Sequence, residues 1–436
     1  MPSVAAVAAL LTETRARRRE QWLRPDELAR RRLPRLRRLA AAAGRTPYWA
    51  AQFALAGLDP STLDEASLSR LPVLDKATVQ DHTVHMLLAP KASLFAVRTS
   101  GSSGRPAEFF RTERDQAEVS ALHGRIASVF GRRTFDRQVS IGSGIPTAAK
   151  GPVALLRRIG ILPQLCRISS LEPLAKQLAT VREFRPHVVN GYSIAIEQLA
   201  EATILAGVTD VRPRLVYTGS MPTTERCRTL SAQAFGVRPL DVYAITEAGP
   251  VAFECPESPE DYHLNDDVQI VEIVDSAGRP VPDGETGEVV ITPLTLLSEP
   301  LLRYRVGDLA ARRPYRCRCG RGLALLGPIE GRARQIIRTP DGRTLNQAGI
   351  GPSFRKEHGV KRWQVRHTAP DALQVLVVTE SPWSAGGREQ TVNLLGSRVG
   401  SAMRIEVVEV EDIPVTSAGK FQAIIPLPED ATPRQK

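Results

Sequence analysis

Thr99-Ser100-Gly101-Ser102-Ser103-Gly104-Arg105-Pro106 is the stretch on which the reading of this chain turns. The apolar run Leu94 to Val97 before it predicts a strand, and Glu108 to Thr112 after it predicts a second. A tight loop of glycines and small hydroxyls between strands leaves backbone N–H groups uncovered, and such a loop can wrap phosphate oxygens. Ser100, Ser102 and Ser103 add hydroxyl donors, and Arg105 adds a fixed positive charge. The run is not Gly-x-x-x-x-Gly-Lys-Ser/Thr, so a P-loop NTPase reading fails. Taken alone, a Ser/Gly-rich hairpin is more often an ordinary turn.

Other stretches give the loop its weight. Tyr243-Ala244-Ile245-Thr246-Glu247, Arg303-Tyr304-Arg305-Val306-Gly307-Asp308-Leu309, Gly331-Arg332 and Pro414-Val415-Thr416-Ser417-Ala418-Gly419-Lys420 follow it in order. With the loop, they resemble the phosphate loop, Tyr-Gly-x-Thr-Glu motif, ribose-binding aspartate motif, domain hinge and C-terminal lysine loop of the adenylate-forming superfamily of acyl- and aryl-CoA ligases. Thr46-Pro47-Tyr48-Trp49 and Leu71-Pro72-Val73-Leu74-Asp75-Lys76 narrow the likeness to the phenylacetate–CoA ligase branch, including relatives from capsular polysaccharide clusters. The resemblance implies an α/β adenylate-forming fold. A large multi-sheet α/β domain would span residues 1–331, with an Arg-rich helical segment at 1–45. A small mobile α+β domain would span 332–436.

The implied reaction joins a carboxylate to ATP as acyl-AMP, releases pyrophosphate and transfers the acyl group to a thiol, most often coenzyme A. A carrier-protein thiol, an amine acceptor or a non-catalytic nucleotide-binding homologue are the alternatives. By resemblance, Thr99 to Arg105 takes the β- and γ-phosphates, Glu247 holds Mg²⁺, Thr246 contacts the α-phosphate, and Tyr243 and Arg305 belong to the nucleotide site. Asp308 has two oxygens to offer a ribose diol. Arg332 reaches ribose or phosphate, and Lys420 bridges the acyl carboxylate and the α-phosphate. Tyr192, Ser193, Gly219, Ser220, Met221 and Ala244 are expected to line the acid pocket, suiting an aryl or otherwise apolar acid. Four positions depart from the family pattern: Ala244 for glycine, Arg105 for lysine, Arg334 at the hinge, and Gln422 where an arginine often follows the lysine.

A chain of 436 residues exceeds one ordinary core and predicts at least two domains. No apolar run is long enough to cross a membrane, and Val4 to Leu11 precedes rather than follows its basic residues, the wrong order for a secretory signal. Five cysteines do not make a disulfide framework, so a cytoplasmic, reduced protein is expected. The net charge is +11, and eleven of the arginines fall between Arg15 and Arg38 beside only Glu20, Asp26 and Glu27. With Trp22 as the lone interleaved aromatic and no finger or RNA-recognition signature, nucleic acid is not the expected partner. A solvated helix face is the expectation, with a basic surface for an acidic partner as the alternative.

Residues 7–44 read as helical, broken at Pro25 and Pro34, with Leu28, Leu33, Leu36 and Leu39 seating them. From Glu172 to Ala244, helical stretches alternate with the apolar strands 187–192, 214–218 and 239–244. This predicts a parallel sheet with its ligand at the strands' C-terminal ends. In the last hundred residues, strands are expected at 363–366, 373–378 and 404–410, with a helix from Gln390 to Met403. Cys317-x-Cys319 forms a knuckle, and Cys255 and His263 lie upstream. Cys₃His is a set that zinc prefers, and similar positions occur in the capsule-type relatives. A structural Zn²⁺ is therefore expected, the alternative being unpaired thiols. Cys166 and Cys227 fit no site.

Overall fold

In the computed structural model, the described residues are 3–99, 107–142, 164–354, 358–379, 383–416 and 419–427. The chain divides into two compact units, Met1–Val306 with Ala310–Pro328, and Gly307–Leu309 with Ile329–Lys436.

The first unit opens with helices α1 (Val4–Glu20) and α2 (Pro25–Ala43). Ser3 caps α1 by accepting from the Ala6 N–H, and Pro25 occupies the first turn of α2, where its missing N–H costs nothing. Pro34 does not break α2, contrary to the sequence expectation. Leu28, Leu36 and Leu39 are fully buried on either side of it, so tertiary packing overrides the local penalty. Short helices α3 (Pro47–Ala56), α4 (Glu65–Leu68) and α5 (Lys76–Met86) lead to the hairpin β1 (Phe95–Arg98) and β2 (Glu108–Arg111). Next comes α6 (Glu113–Val129), whose N-terminus is closed by a Thr112–Asp115 capping box and which packs against α1.

The expected alternation follows. Strands β3 (Gln138–Gly142), β4 (Leu165–Ser169), β5 (Val188–Tyr192), β6 (Leu215–Gly219) and β7 (Leu240–Ile245) interleave with helices α7 (Leu174–Phe184), α8 (Ser193–Leu205) and α9 (Glu225–Phe235). Strands β3 to β7 are parallel, and β8 (Gly249–Cys255) and β9 (Ser258–Leu264) extend the same sheet antiparallel, with β13 (Leu325–Leu326) at its edge. One face buries Val139, Ile141, Val189 and Val216 against α8 and against Phe235 of α9. The other packs Val188, Leu215 and Val242 against Ile126 of α6, Phe130 just after it, and Leu28 of α2. A second sheet holds β10 (Gln269–Val274), β11 (Thr286–Pro293) and β12 (Tyr304–Ala311), β10 pairing with β11 antiparallel.

The second unit pairs Asp308 and Leu309 of β12 with Arg332 and Gly331 of β14 (Gly331–Arg332). It continues through the hairpin β15 (Ile337–Arg338) and β16 (Thr344–Leu345) and the short α10 (Gln347–Ile350). A four-stranded sheet follows, in the order β19 (Arg404–Glu409), β18 (Ala372–Thr379), β17 (Val360–Ala369), β20 (Ile424–Ile425), covered by α11 (Ala385–Val399). The helix starts earlier and ends earlier than expected. Ser384 accepts the Gly387 N–H at its start, and Gly400 leaves the helix at φ +90, which a residue with a side chain resists.

Candidate functional site

Parallel strands end where their backbone N–H groups and the following turns face a common crevice. Tyr192 closes β5, Gly219 closes β6, and Thr246-Glu247 follow β7 directly. The register sets Tyr192 beside Gly219 and Gly219 beside Val242, so β5 and β6 end together while the neighbouring β7 runs on to Ile245. Ser220 is exposed with φ +65, a conformation that residues with a Cβ rarely hold, and Gly219, Met221 and Ala244 are half-buried around the turn. Ser193 is buried, and its hydroxyl donates to the Pro222 carbonyl at 2.9 Å, so it braces the turn instead of offering a free polar group. Tyr243 is buried in β7.

Glu247 is held from two directions. The Tyr304 hydroxyl donates to Glu247 Oε1 at 2.9 Å, and the adjacent Thr246 carbonyl accepts from Arg111 Nη2 at 2.5 Å. Tyr304 and Arg111 are both buried. Thr99 closes the β1–β2 hairpin: its N–H donates to the Ala107 carbonyl and its hydroxyl accepts from the Ala107 N–H, each at 2.9 Å. Lys76 Nζ stands 3.5 Å from that hydroxyl. Ser100, Gly101, Ser102, Ser103, Gly104 and Arg105 lie outside the described residues. Arg305 pairs with Glu288 at 3.0 Å and donates to the Ser276 carbonyl.

In the second unit, Asp308 is buried in β12 and meets Arg332 of β14 at 3.3 Å. Their cross-strand pairing makes this contact a product of register. Lys420 follows a tight turn in which the Thr416 N–H donates to the Lys420 carbonyl at 2.8 Å and Gly419 takes φ +70. Ser417 and Ala418 lie outside the described residues.

The four zinc candidates converge. Cys255 ends β8, His263 lies in β9, and Cys317 and Cys319 come from the β12–β13 connection. Their donor atoms all lie within 4.8 Å of one another. Cys255 Sγ and Cys317 Sγ are 3.6 Å apart, and Cys319 Sγ is 3.2 Å from His263 Nε2. A tetrahedron with metal–sulfur bonds of about 2.3 Å and metal–nitrogen bonds of about 2.0 Å has edges of this order, so the donor set fits zinc. Burial, with the nearby Arg321 charge, pushes His263 down to about 4, leaving the imidazole neutral and able to ligate. Burial raises the Cys317 thiol to about 12. Cys227 is plain core: it is fully buried and its thiol faces the Ser193 carbonyl.

Tyr304, Arg111 and Lys76 escaped sequence reasoning as site residues, although Tyr304 and Lys76 lie inside the quoted motifs. Arg111 is flagged by no motif; it reads as one end of a short strand.

The chain resembles known acid–CoA ligases over most of its length. A family model described as the CapK C-terminal domain matches residues 337–426. The phenylacetate-coenzyme A ligase of Thermus thermophilus is 30% identical over 313 residues, covering 70% of each chain. That of Pseudomonas putida is 28% identical over 324 residues, covering 72% of each. A 2-hydroxyisobutyryl-CoA ligase structure in complex with an acyl-adenylate superposes with a TM-score of 0.79 at 20% identity, covering 94% of this chain and 92% of the other. Ordered motifs, the parallel sheet that gathers them and relatives at this coverage lead to one conclusion: the chain belongs to the phenylacetate–CoA ligase-like branch of the adenylate-forming enzymes, and is an acid–CoA ligase.

Proposed function

We propose that the enzyme activates an aryl or otherwise apolar carboxylic acid in the cytoplasm and passes the acyl group to coenzyme A. In the first half-reaction a carboxylate oxygen attacks the α-phosphorus of ATP, the bond to pyrophosphate breaks, and acyl-AMP forms. In the second, the thiolate sulfur attacks the acyl carbon and AMP departs. The reading rests most on the strand ends: Tyr192, Gly219 and Thr246-Glu247 stand at the C-terminal ends of neighbouring parallel strands, with the Glu247 carboxylate braced by Tyr304.

The loop from Thr99 to Arg105 takes the triphosphate, and Thr246 meets the α-phosphate. Glu247 is a hard carboxylate suited to Mg²⁺. When bound, that ion neutralises charge on the phosphates. Asp308 accepts from the ribose hydroxyls, and Arg332 is poised beside it. Tyr243 and Arg305 flank the nucleotide, while Tyr192, Met221, Ser220, Gly219 and Ala244 border the acid. Lys420, carried by the second unit, serves the first half-reaction by stabilising the charge between carboxylate and phosphate. Cys255, His263, Cys317 and Cys319 hold a structural Zn²⁺ that ties the end of β8 to the β12–β13 connection.

No helix among the described residues is long and apolar enough to cross a membrane. The relatives named above favour coenzyme A over a carrier protein as the acceptor. A pyrophosphate–ATP exchange screen over aryl and alkyl acids, followed by thioester detection with coenzyme A, tests the reading. Exchange supported by one acid class and thioester formed from it is the expected result. ATP binding without exchange for every acid would overturn it.

A further inference from the structure

The end of β2 carries a concentration of buried charge that the proposed chemistry leaves unexplained. Arg111 is 5% exposed, and the charges of Asp115, Glu247 and Glu299 surround it. Glu299, in the connection between β11 and β12, is also 5% exposed. Its Oε2 accepts the Phe110 N–H at 2.6 Å, while its Oε1 is buried and makes no hydrogen bond. Ser298 completes the attachment by donating its hydroxyl to the Phe110 carbonyl at 2.8 Å.

The pattern follows from strand register. The Thr99–Ala107 hydrogen bond makes 97/109 a bonded pair, so the backbone groups of Phe110, opposite Ala96, point away from the partner strand. An outward N–H and C=O at a buried edge need partners. Glu299 and Ser298 supply them with side chains where a third strand would otherwise run. Directly after that anchored residue, Arg111 reaches out to the Thr246 carbonyl. The turn bearing Glu247 is thereby held by β2, and β2 is held by Glu299. Tyr304 fixes the carboxylate at the other end.

We propose that Arg111 and Glu299 are positioning residues that fix how Glu247 presents its carboxylate to the divalent cation accompanying ATP. Arg111 acts through the Thr246 carbonyl, and Glu299 acts through the strand that carries Arg111. Neither needs to touch the nucleotide. Lysine at 111 keeps the charge but loses the fork that reaches Thr246 and Gln116 together, the latter at 3.2 Å. Alanine at 299 strands the Phe110 N–H, whereas glutamine keeps an oxygen for it.

The inference rests on the ATP assignment above, and its test needs no acid substrate. ATP affinity is measured calorimetrically with and without Mg²⁺ in the full chain, and the ratio of the two is the coupling. Arg111→Lys and Glu299→Ala should each cut that ratio at least about fivefold, and Glu299→Gln should restore it to within about twofold. Thermal unfolding of each variant separates this from a structural role, which would lower the melting temperature and leave the ratio as in the parent. An unchanged ratio in folded Arg111→Lys and Glu299→Ala overturns the inference alone. If Arg111→Lys does not fold, the Glu299 pair decides by itself. A parent chain that binds no ATP would instead overturn the functional reading on which the inference stands.

Discussion

Replacing Arg125 by methionine removes the guanidinium that meets Asp267 with both arms. Nη1 lies 2.9 Å from Oδ2, Nη2 lies 3.0 Å from Oδ1, and neither side chain is exposed at all. Two hydrogen bonds to a charged acceptor, each worth about 1.5–3 kcal/mol, set the upper scale. Arg17 stays 3.4 Å from the same carboxylate and offsets part of the loss. The expected destabilisation is about 3–4 kcal/mol, in the range for a buried charge left short of a partner. The pH dependence carries the same signature. Burial pushes Asp267 up, but the charges of Arg125, Arg17 and Arg35 more than offset it and hold the group down to about 2. The resulting stability is present above the unfolded value near 3.9 and is lost as the pH falls toward about 2. Without Arg125 the folded value rises toward the unfolded one, so this pH-linked contribution shrinks and the cost of the substitution fades as the pH falls below about 4. Urea unfolding followed by circular dichroism at pH 7.5 and at pH 3 measures both effects. Arg125→Met/Asp267→Asn completes a double-mutant cycle and should recover more than about 1 kcal/mol. A single-variant loss under about 1 kcal/mol, or strict additivity in the cycle, would refute the pairing as an energetic unit.

Four further outcomes follow from the site. Cys319→Ser should reduce the zinc found by metal analysis of untagged protein and lower the melting temperature while leaving ATP affinity near the parent value; equal stability of a metal-free preparation would exclude a structural ion. Asp308→Ala should raise the ATP concentration needed for exchange by roughly ten- to a hundredfold, the loss of one or two charged hydrogen bonds, and an unchanged requirement would mean the ribose lies elsewhere. Lys420→Ala should slow pyrophosphate exchange about 10²–10³-fold yet consume preformed acyl-adenylate with coenzyme A at near the parent rate; equal losses in both halves would show that the lysine acts throughout. Burial above all, with the Glu247 charge, raises Glu299 to about 7 against the opposing Phe110 N–H, Arg111 and Lys91. A carboxyl raised in this way loses its stabilising contribution as the pH climbs from about 4.3 through 7, so Glu299→Gln should be near neutral at pH 5 and stabilising by about 1–3 kcal/mol at pH 8; the same difference at both pH values would disprove the shift.

The parallel sheet was legible because its signal is local and repeated. Short apolar runs such as Val188-Val189 and Leu215-Val216 are separated by helical stretches, and each ends at a turn residue. The Cys₃His cluster was legible through residue chemistry and spacing, since four soft or borderline donors in one region have few other uses. Glu299 was not legible. It stands in a stretch without periodicity, and its partner is a backbone N–H 189 positions away, exposed by the register of a hairpin. Arg111 and Tyr304 were hidden for a related reason: each acts on the Thr246-Glu247 turn from another element, so the relevant spacing is in space and not in sequence.

The same distinction decides what the arginines of the first forty residues do. Counted along the chain, they form a charge run with three acids nearby, and a solvated face or a docking surface for a polyanion is the natural reading. Counted by contact, several of the partners come from elsewhere. Arg17 is buried and meets Glu13, Glu20 and Asp267; Arg32 meets Glu65 and Asp266; Arg35 donates to Glu20 and to the Asp267 carbonyl. Asp266 and Asp267 open the second sheet just before β10, and Arg125 reaches Asp267 from α6. The segment thus inserts part of its charge into the body, where it neutralises carboxylates that burial would otherwise penalise. A surface-binding role has only the outward arginines to draw on, among them Arg15, Arg18, Arg19 and Arg37. Truncating α1 and α2 should therefore destabilise the first unit before it alters any association with an acidic partner, because it removes counter-charges from the core.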